Sequence, residues 1–433
     1  MRSQTERLYF ISERLFVVGA LVYFMGAIIP VLKNPGHVFA EAQASDPLAL
    51  LLQSAIYAGA LIFMIPIRGS VLNACAKNPL LCSLLFLVLV SCIWSPASLF
   101  TLRKAIVLLA TTGFGLYLGT RFEIREQIRL VALALAVCAV LSVVFIVALP
   151  RYGVDMAIYH GAWRGVFFHK NTFGTYMVVA MITFLCFRAE SVGQLVAKYF
   201  GLVLSVVLVI GSQAKGSYVV MAAMIVLSFL YRLLHIYWKR LIPAATVALT
   251  LVGIAAVYVA SNLDSFLALL GKDATFSGRI PLWTAILSLS SGNRLLGFGY
   301  GGFWATNTYT VWSMVAWNSS KAHNGYIDLL VDLGWIGVAI FALNTGLALW
   351  RSMKLVARDK TLESQWPLLI LSLILLYNII ESDLLVMNSF MWVAYVAITV
   401  SLQRAWSFSR ATERTINPEA AGFSTSEFEP CPQ

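Results

Sequence analysis

The sequence predicts an all-α polytopic membrane protein of about 12 transmembrane helices with one large outer loop. Composition is the first reason: 60% of the 433 residues are hydrophobic and only 12% are charged, with a mean hydropathy of +0.81, whereas soluble domains are roughly half apolar. The second is that apolar runs recur at the length of about 20 residues that a bilayer demands. The third is that a single long polar interruption, residues 261–325, breaks the series.

Taken in order, the candidate spans are Leu15 to Leu32, Leu48 to Ile67, Leu80 to Trp94, Leu102 to Gly119 and Ile128 to Leu149. Thr172 to Phe187, Tyr199 to Ile210, Ser217 to Leu234 and Leu241 to Ala260 follow, and beyond the large loop come Tyr326 to Trp350, Trp366 to Ile380 and Leu384 to Leu402. Met1 to Arg14 is polar with three arginines, and the apolar run behind it has no small-residue cleavage site, so an uncleaved first helix is expected.

Lysine and arginine gather in cytoplasmic loops. With the N-terminus inside, about 20 cations fall on the cytoplasmic side against about 11 outside. Both termini are then cytoplasmic and the 261–325 loop faces outward. The chain divides into a first helical region, 1–260, the loop, 261–325, a second helical region, 326–406, and a tail, 407–433, whose Pro, Ser, Thr and Glu content reads as disordered.

The formal charge of +11 does not point to nucleic acid, because the cations stand singly or in pairs between apolar runs and form no basic stripe. Six cysteines lie in apolar segments, beside a short connection and in the tail, with neither metal-ligand nor disulfide-framework spacing. No metal and no cofactor are expected.

Cations on the disfavoured outer side are the informative ones: Lys33, Arg103, Lys104, Arg151, Arg164, Lys170, Lys215, Lys272, Arg279, Arg294 and Lys321. Retaining them there suits a strongly anionic ligand such as a lipid-linked diphosphate, whose oxygens accept charge-assisted hydrogen bonds. Lys33, Arg103, Lys104 and Arg151 lack a motif and read as cations snorkelling to headgroups.

Around the others, short motifs form. Before the sixth span, Trp163-Arg164-Gly165-Val166-Phe167-Phe168-His169-Lys170-Asn171-Thr172-Phe173-Gly174 packs two cations, a histidine and an amide together; an interfacial aromatic belt is the plainer alternative. Gly211-Ser212-Gln213-Ala214-Lys215-Gly216-Ser217 is a tight outer turn that sets Lys215 at a helix N-terminus, where amides and dipole favour an anion, or else an ordinary turn lysine. In the loop, Ser277 or Gly278 can start a short surface helix with Pro281 in its first turn, Arg279 at its head and Ile280, Trp283 and Leu287 along one side. The glycines of Asn293-Arg294-Leu295-Leu296-Gly297-Phe298-Gly299-Tyr300-Gly301-Gly302 have no preceding strand and argue only weakly for a nucleotide. Lys321-Ala322-His323-Asn324-Gly325 closes the loop with one imidazole at a helix mouth, and Asp328 and Asp332 project from roughly the opposite side of that helix. A lone histidine there is either a proton acceptor or a structural hydrogen-bonder.

Together with His323-Asn324-Gly325-Tyr326 and Asp332-Leu333-Gly334-Trp335-Ile336-Gly337, these motifs resemble, in order over about residues 160 to 340, the O-antigen ligase and Wzy-type polysaccharide polymerase superfamily. The His-Lys-Asn form and the lysine turn are most similar to its ExoQ-like exopolysaccharide production proteins. The resemblance implies a GT-C-like, metal-independent inverting glycosyltransferase of the bacterial inner membrane with a periplasmic catalytic loop. Its donor and acceptor would be glycans on undecaprenyl diphosphate. Membrane lipids, chain-length regulators and export proteins are the implied partners.

Residue by residue, Arg279 and Lys215 match diphosphate-holding positions and His323 the one that activates the acceptor hydroxyl. Lys215 stands where many ligases carry Arg, keeping the charge without the bidentate fork. Arg164, His169, Lys170, Asn171, Arg294, Lys321 and Asn324 are the further substrate-binding candidates. Polymerisation of lipid-linked repeat units is the expected activity, with ligation of finished polymer to lipid A core or protein as the alternative. A lipid-linked sugar flippase is the reading from another class, but it calls for charges at helix midpoints and related halves, neither of which the chain displays.

Overall fold

The computed structural model describes residues 4–27, 47–156, 159–237, 278–315, 318–359 and 361–416. The candidate span Leu241 to Ala260, together with Lys33, Lys272 and Ser277, lies outside them. Helices dominate: α1 (Gln4–Phe24), α2 (Pro47–Met64), α3 (Arg68–Ala76), α4 (Pro79–Val90), α5 (Ser98–Arg121), α6 (Ile124–Ala148), α7 (Lys170–Cys186), α8 (Val192–Ser212), α9 (Lys215–Tyr237), α10 (Arg279–Leu289), α11 (Gly302–Met314), α12 (Gly325–Arg358), α13 (Trp366–Tyr377) and α14 (Phe390–Ile416). A two-residue hairpin pairs Val154 with Trp163. Among the described residues, six helices are long and apolar enough to cross a membrane, counting α2 and α3 as one continuous helix.

Burial separates the central helices from the peripheral ones. Every residue from Phe173 to Phe184 in α7, Trp366 to Ile374 in α13 and Phe390 to Leu402 in α14 is buried, the pattern of helices apolar on all sides and surrounded by others. By contrast, α2 buries only Ala60 and leaves Leu51, Leu61 and Ile62 exposed, as a lipid-facing helix does. Small residues let helices approach where lipid gives no hydrophobic drive. A Cβ on Gly119 of α5 would stand 2.5 Å from the Ala397 carbonyl oxygen of α14. Buried polar groups are matched across helices, as when the Trp392 indole donates to Thr112 at 2.8 Å and the Trp366 indole to Thr183 at 3.2 Å.

Two polar regions form between the helices. One gathers acid-paired cations: Arg121 on Glu13 at 2.8 Å, Arg125 on Glu190 at 2.6 Å, Arg129 on Glu190 at 2.5 Å and Arg14 on Glu126. The other carries the starts of α7, α9 and α12 and the turn after α13, and it is here that the candidate site lies.

Two departures from the sequence reading shape that region. The last helix begins at Phe390, and residues 378–389 form an irregular turn in which Leu385 and Asn388 take positive φ. The long helix α12 is broken at Gly334 (φ 62°, ψ −168°), a conformation open to glycine because no Cβ is present. The amides freed by the break are taken by the loop before it, Trp335 N–H bonding the Arg294 carbonyl at 2.9 Å and Ile336 N–H that of Leu295 at 3.3 Å. Broken helices persist at membrane depth only where protein re-satisfies the backbone in this way.

The glycine-rich segment is therefore a packing element. Tyr300 N–H donates to Ser91 at 3.0 Å, its hydroxyl to the Leu385 carbonyl at 2.5 Å, and Lys104 stands over its ring at 5.4 Å. Lys104, read from sequence as snorkelling to headgroups, instead braces this loop. The short helix is found as α10, with Gly278 as its N-cap at φ 80°. Its buried side is Leu282, Ala285 and Ile286, while Ile280 and Leu287 are exposed. At the C-terminus, helix α14 continues to Ile416, beyond residue 407.

Candidate active site

The site is built on the first turn of α12. Asn324 is its N-cap, and its side-chain oxygen accepts from Tyr326 N–H at 3.0 Å and Ile327 N–H at 3.2 Å, satisfying amides that have no partner within the helix. Just before it, His323 holds a left-handed backbone (φ 48°), a sparsely populated conformation for a side chain with a Cβ, and one that clusters at functional sites. The segment before His323 is pinned from two sides. Trp283 of α10 donates to the Ala322 carbonyl at 2.8 Å, and Ala322 N–H bonds the Asp328 carboxylate at 3.1 Å.

The turn after α13 docks onto the same place. Gly325 N–H points at the carbonyls of Asn378 (2.9 Å) and Glu381 (3.0 Å), and Asn324 N–H reaches the Ser382 hydroxyl at 3.0 Å. A Cβ at Gly325 would meet the Asn378 side-chain oxygen at 2.2 Å, so the two segments fit only because residue 325 is glycine. Gly325→Ala is expected to cost about 1–3 kcal/mol through overpacking, read as a fall of several degrees in melting temperature in detergent, and to displace His323. An unchanged melting temperature would contradict this.

Docking brings Glu381 to the centre. One carboxylate oxygen lies 3.0 Å from His323 Nδ1. The other lies 3.6 Å from Arg279 Nη2 and accepts from the Asn171 amide at 3.4 Å. Three helix starts, those of α12, α10 and α7, thus present polar groups to one carboxylate, and Arg279 and Glu381 are each only 13% exposed. Burial alone would raise the Glu381 pKa. The hydrogen bond and charge of His323, with Lys321 and Arg279, outweigh that and hold it down to about 2, so Glu381 is an anion at neutral pH. Burial lowers the Arg279 pKa, against the opposing pull of Glu381.

Asp383, two residues on, behaves oppositely. Burial raises its pKa to about 6, against the pull of Lys321 and with Glu381 adding to the rise. A carboxyl whose folded pKa lies above its unfolded value is most stabilising when protonated, and stability falls as pH rises from about 4 through about 6. Asp383→Asn should therefore raise the melting temperature at pH 7.5 and leave it nearly unchanged at pH 4.5. An equal shift at both pH values would refute the assignment.

The remaining sequence candidates fall into two groups. Lys321, Glu381 and Asp383 line a cavity of about 210 Å³ beside Met25, Tyr176 and Tyr377. Lys215 is exposed at the start of α9, close enough to Lys170 for the two charges to repel. Its neighbour Gly216 abuts Ile380, where an added Cβ would lie 2.9 Å from the isoleucine side chain. Lys170 donates to the Gln213 carbonyl at 3.3 Å and lies 3.8 Å over the Tyr159 ring. His169 caps α7, Nδ1 accepting from Asn171 N–H at 3.1 Å, and burial lowers its pKa.

Arg164 and Arg294 stand apart from this group. Arg164 is nearly buried and donates to the Tyr152 carbonyl at 2.8 Å, bracing its own loop. Arg294 is exposed, and its backbone carbonyl accepts from Trp335 N–H. Among the described residues, no three His, Cys, Asp or Glu side chains are grouped to hold a metal ion.

Glu381 is the candidate site residue that spacing did not assign, since its partner lies 58 positions away. The available signal was its place in an outer turn of a chain poor in acids.

Residues 200–342, which include Lys215, Arg279 and His323, match the family model described as O-antigen ligase. Over that segment the chain is similar to O-antigen ligases. It is also 25% identical, over 308 residues, to the exopolysaccharide production protein ExoQ of Rhizobium meliloti (strain 1021), covering 67% of this chain and 69% of that one. The O-antigen ligase match ends before Glu381, so that family segment supplies the histidine and the arginine while its carboxylate comes from outside the matched residues.

Proposed function

We propose that the chain polymerises lipid-linked oligosaccharide repeat units by inverting glycosyl transfer from a polyprenyl diphosphate donor. The observation that carries this reading is the convergence of His323, Arg279 and Glu381 at 3.0 and 3.6 Å among the helix starts of a helical membrane protein. A carboxylate can only accept hydrogen bonds, so the neutral imidazole carries its proton on Nδ1 and keeps a lone pair on Nε2. That nitrogen takes the proton of the acceptor hydroxyl as its oxygen attacks the anomeric carbon. The bond from that carbon to the diphosphate breaks on the opposite side, which inverts the configuration. Arg279 and Lys215 stabilise the charge gathering on the departing diphosphate, the electrostatic contribution that is commonly the largest in catalysis. With cations in that role, the reaction needs no metal.

In this reading the fold is GT-C-like with about 12 spans, and the acid-paired region is cytoplasmic. The 261–325 loop and the site then lie in the periplasm of an inner-membrane protein, with both termini inside. The likeness to ExoQ favours polymerisation. The family description O-antigen ligase keeps transfer of finished polymer as the second reading.

The test is the size distribution of lipid-linked and surface glycan in a deletion strain, with and without the wild-type chain. Accumulated single repeat units on the lipid are the expected result. Long polymer stranded on its carrier would establish the ligase instead, and repeat units trapped on the cytoplasmic side would overturn both in favour of a flippase.

A further inference from the structure

We propose that Glu381 is a positioning residue for the transfer, one oxygen fixing the tautomer of His323 and the other serving Arg279 as a resident counter-ion that the donor diphosphate displaces. This rests on the reading of His323 as proton acceptor and Arg279 as diphosphate ligand.

The two oxygens of Glu381 are engaged differently. The contact to His323 at 3.0 Å is a full hydrogen bond. It is held by a second link between the same segments, since the Glu381 carbonyl accepts from Gly325 N–H at 3.0 Å. Side chain and backbone of Glu381 thus grip the chain on either side of Asn324, and the imidazole is oriented by covalently short paths. The contact to Arg279 at 3.6 Å is longer than the roughly 2.7–2.9 Å of a guanidinium fully bonded to an oxyanion. The oxygen concerned is shared with Asn171 at 3.4 Å. On that shared oxygen Arg279 can exchange a long contact for shorter bonds when a diphosphate arrives, whereas the histidine contact has nothing to gain by breaking. Donor binding therefore takes Arg279 from Glu381 and leaves the carboxylate to His323 and Asn171. The tautomer that keeps the Nε2 lone pair is then held at the moment the leaving group is in place.

The other charged or titratable groups facing this carboxylate are Lys321 from the loop before His323, His169 from the start of α7, Tyr377 from the end of α13 and Asp383 from its own turn. They are unchanged in the variants below.

The full-length protein in proteoliposomes is supplied with lipid-linked repeat units extracted from the deletion strain, and farnesyl diphosphate serves as a competing diphosphate probe. Glu381→Gln should lower kcat about 10²- to 10⁴-fold, because an amide can also donate and no longer enforces the tautomer. The same variant should bind farnesyl diphosphate more tightly, Arg279 having lost its counter-ion. Glu381→Asp keeps the charge but withdraws it by one methylene, and should lower kcat at unchanged probe affinity.

A merely structural role would weaken probe binding, and that result overturns the proposal, as does wild-type kcat in Glu381→Gln. If Glu381→Gln does not insert, Glu381→Asp decides the matter: wild-type kcat overturns the role, and a loss of at least about 10-fold at unchanged probe affinity supports it. Polymer made by His323→Ala would instead sink the underlying reading.

Discussion

Replacing His323 by Ala leaves the protein inserted and folded but without polymer, and single repeat units accumulate on their lipid. Removal of a positioned general base costs about 10²–10⁴-fold, enough to empty the long-chain part of a glycan size distribution. The left-handed backbone at residue 323 (φ 48°) supplies a sharper version of the experiment. His323→Gly relaxes that conformation, so it should be more stable than His323→Ala and equally inactive. Two variants that differ in stability but not in activity separate the loss of the imidazole from a folding defect. Full-length polymer from either variant would refute the role given to the imidazole.

Substitution of Arg279 has the second-largest effect. Arg279→Ala should lower kcat/KM by about 10²–10³-fold, the loss seen when one preorganised group is removed from developing charge. Arg279→Lys should recover only part, since a point charge replaces a planar fork. Lys215 is exposed where Arg279 is largely buried, so its charge acts through more water. Lys215→Ala should cost less than Arg279→Ala, and Lys215→Arg should be well tolerated. Initial rates with the extracted lipid-linked substrate decide this. Equal activity of Arg279→Ala and wild type would remove Arg279 from the site.

Much of this was legible in the sequence because hydropathy and helix starts are local properties. Eleven of the twelve candidate spans overlap helices of the described residues, the first and the last only in part, and Arg279 heads a short helix with Pro281 in its first turn. What the sequence hid is non-local. The pairing of His323 with Glu381 depends on how two turns meet after separate helices have packed. Likewise, Lys104 looked like a headgroup cation because its partners, Phe100 apart, lie near Tyr300. The break at Gly334 could not be read from periodicity, because apolar residues continue through it and only the carbonyls of Arg294 and Leu295 reveal that the helix has stopped. Arg164 misled for the same reason: its guanidinium is turned toward carbonyls of its own loop, an arrangement a motif cannot disclose.

The seam where Gly325 meets Asn378 and Glu381 also sets an order of events during synthesis. His323 leaves the ribosome 58 residues before the carboxylate that orients it. Helices α12 and α13 must both be in place before imidazole and carboxylate can meet. A nascent chain that already displays every motif of the loop therefore still lacks the pairing, and the candidate site comes together only once the turn after α13 has been made.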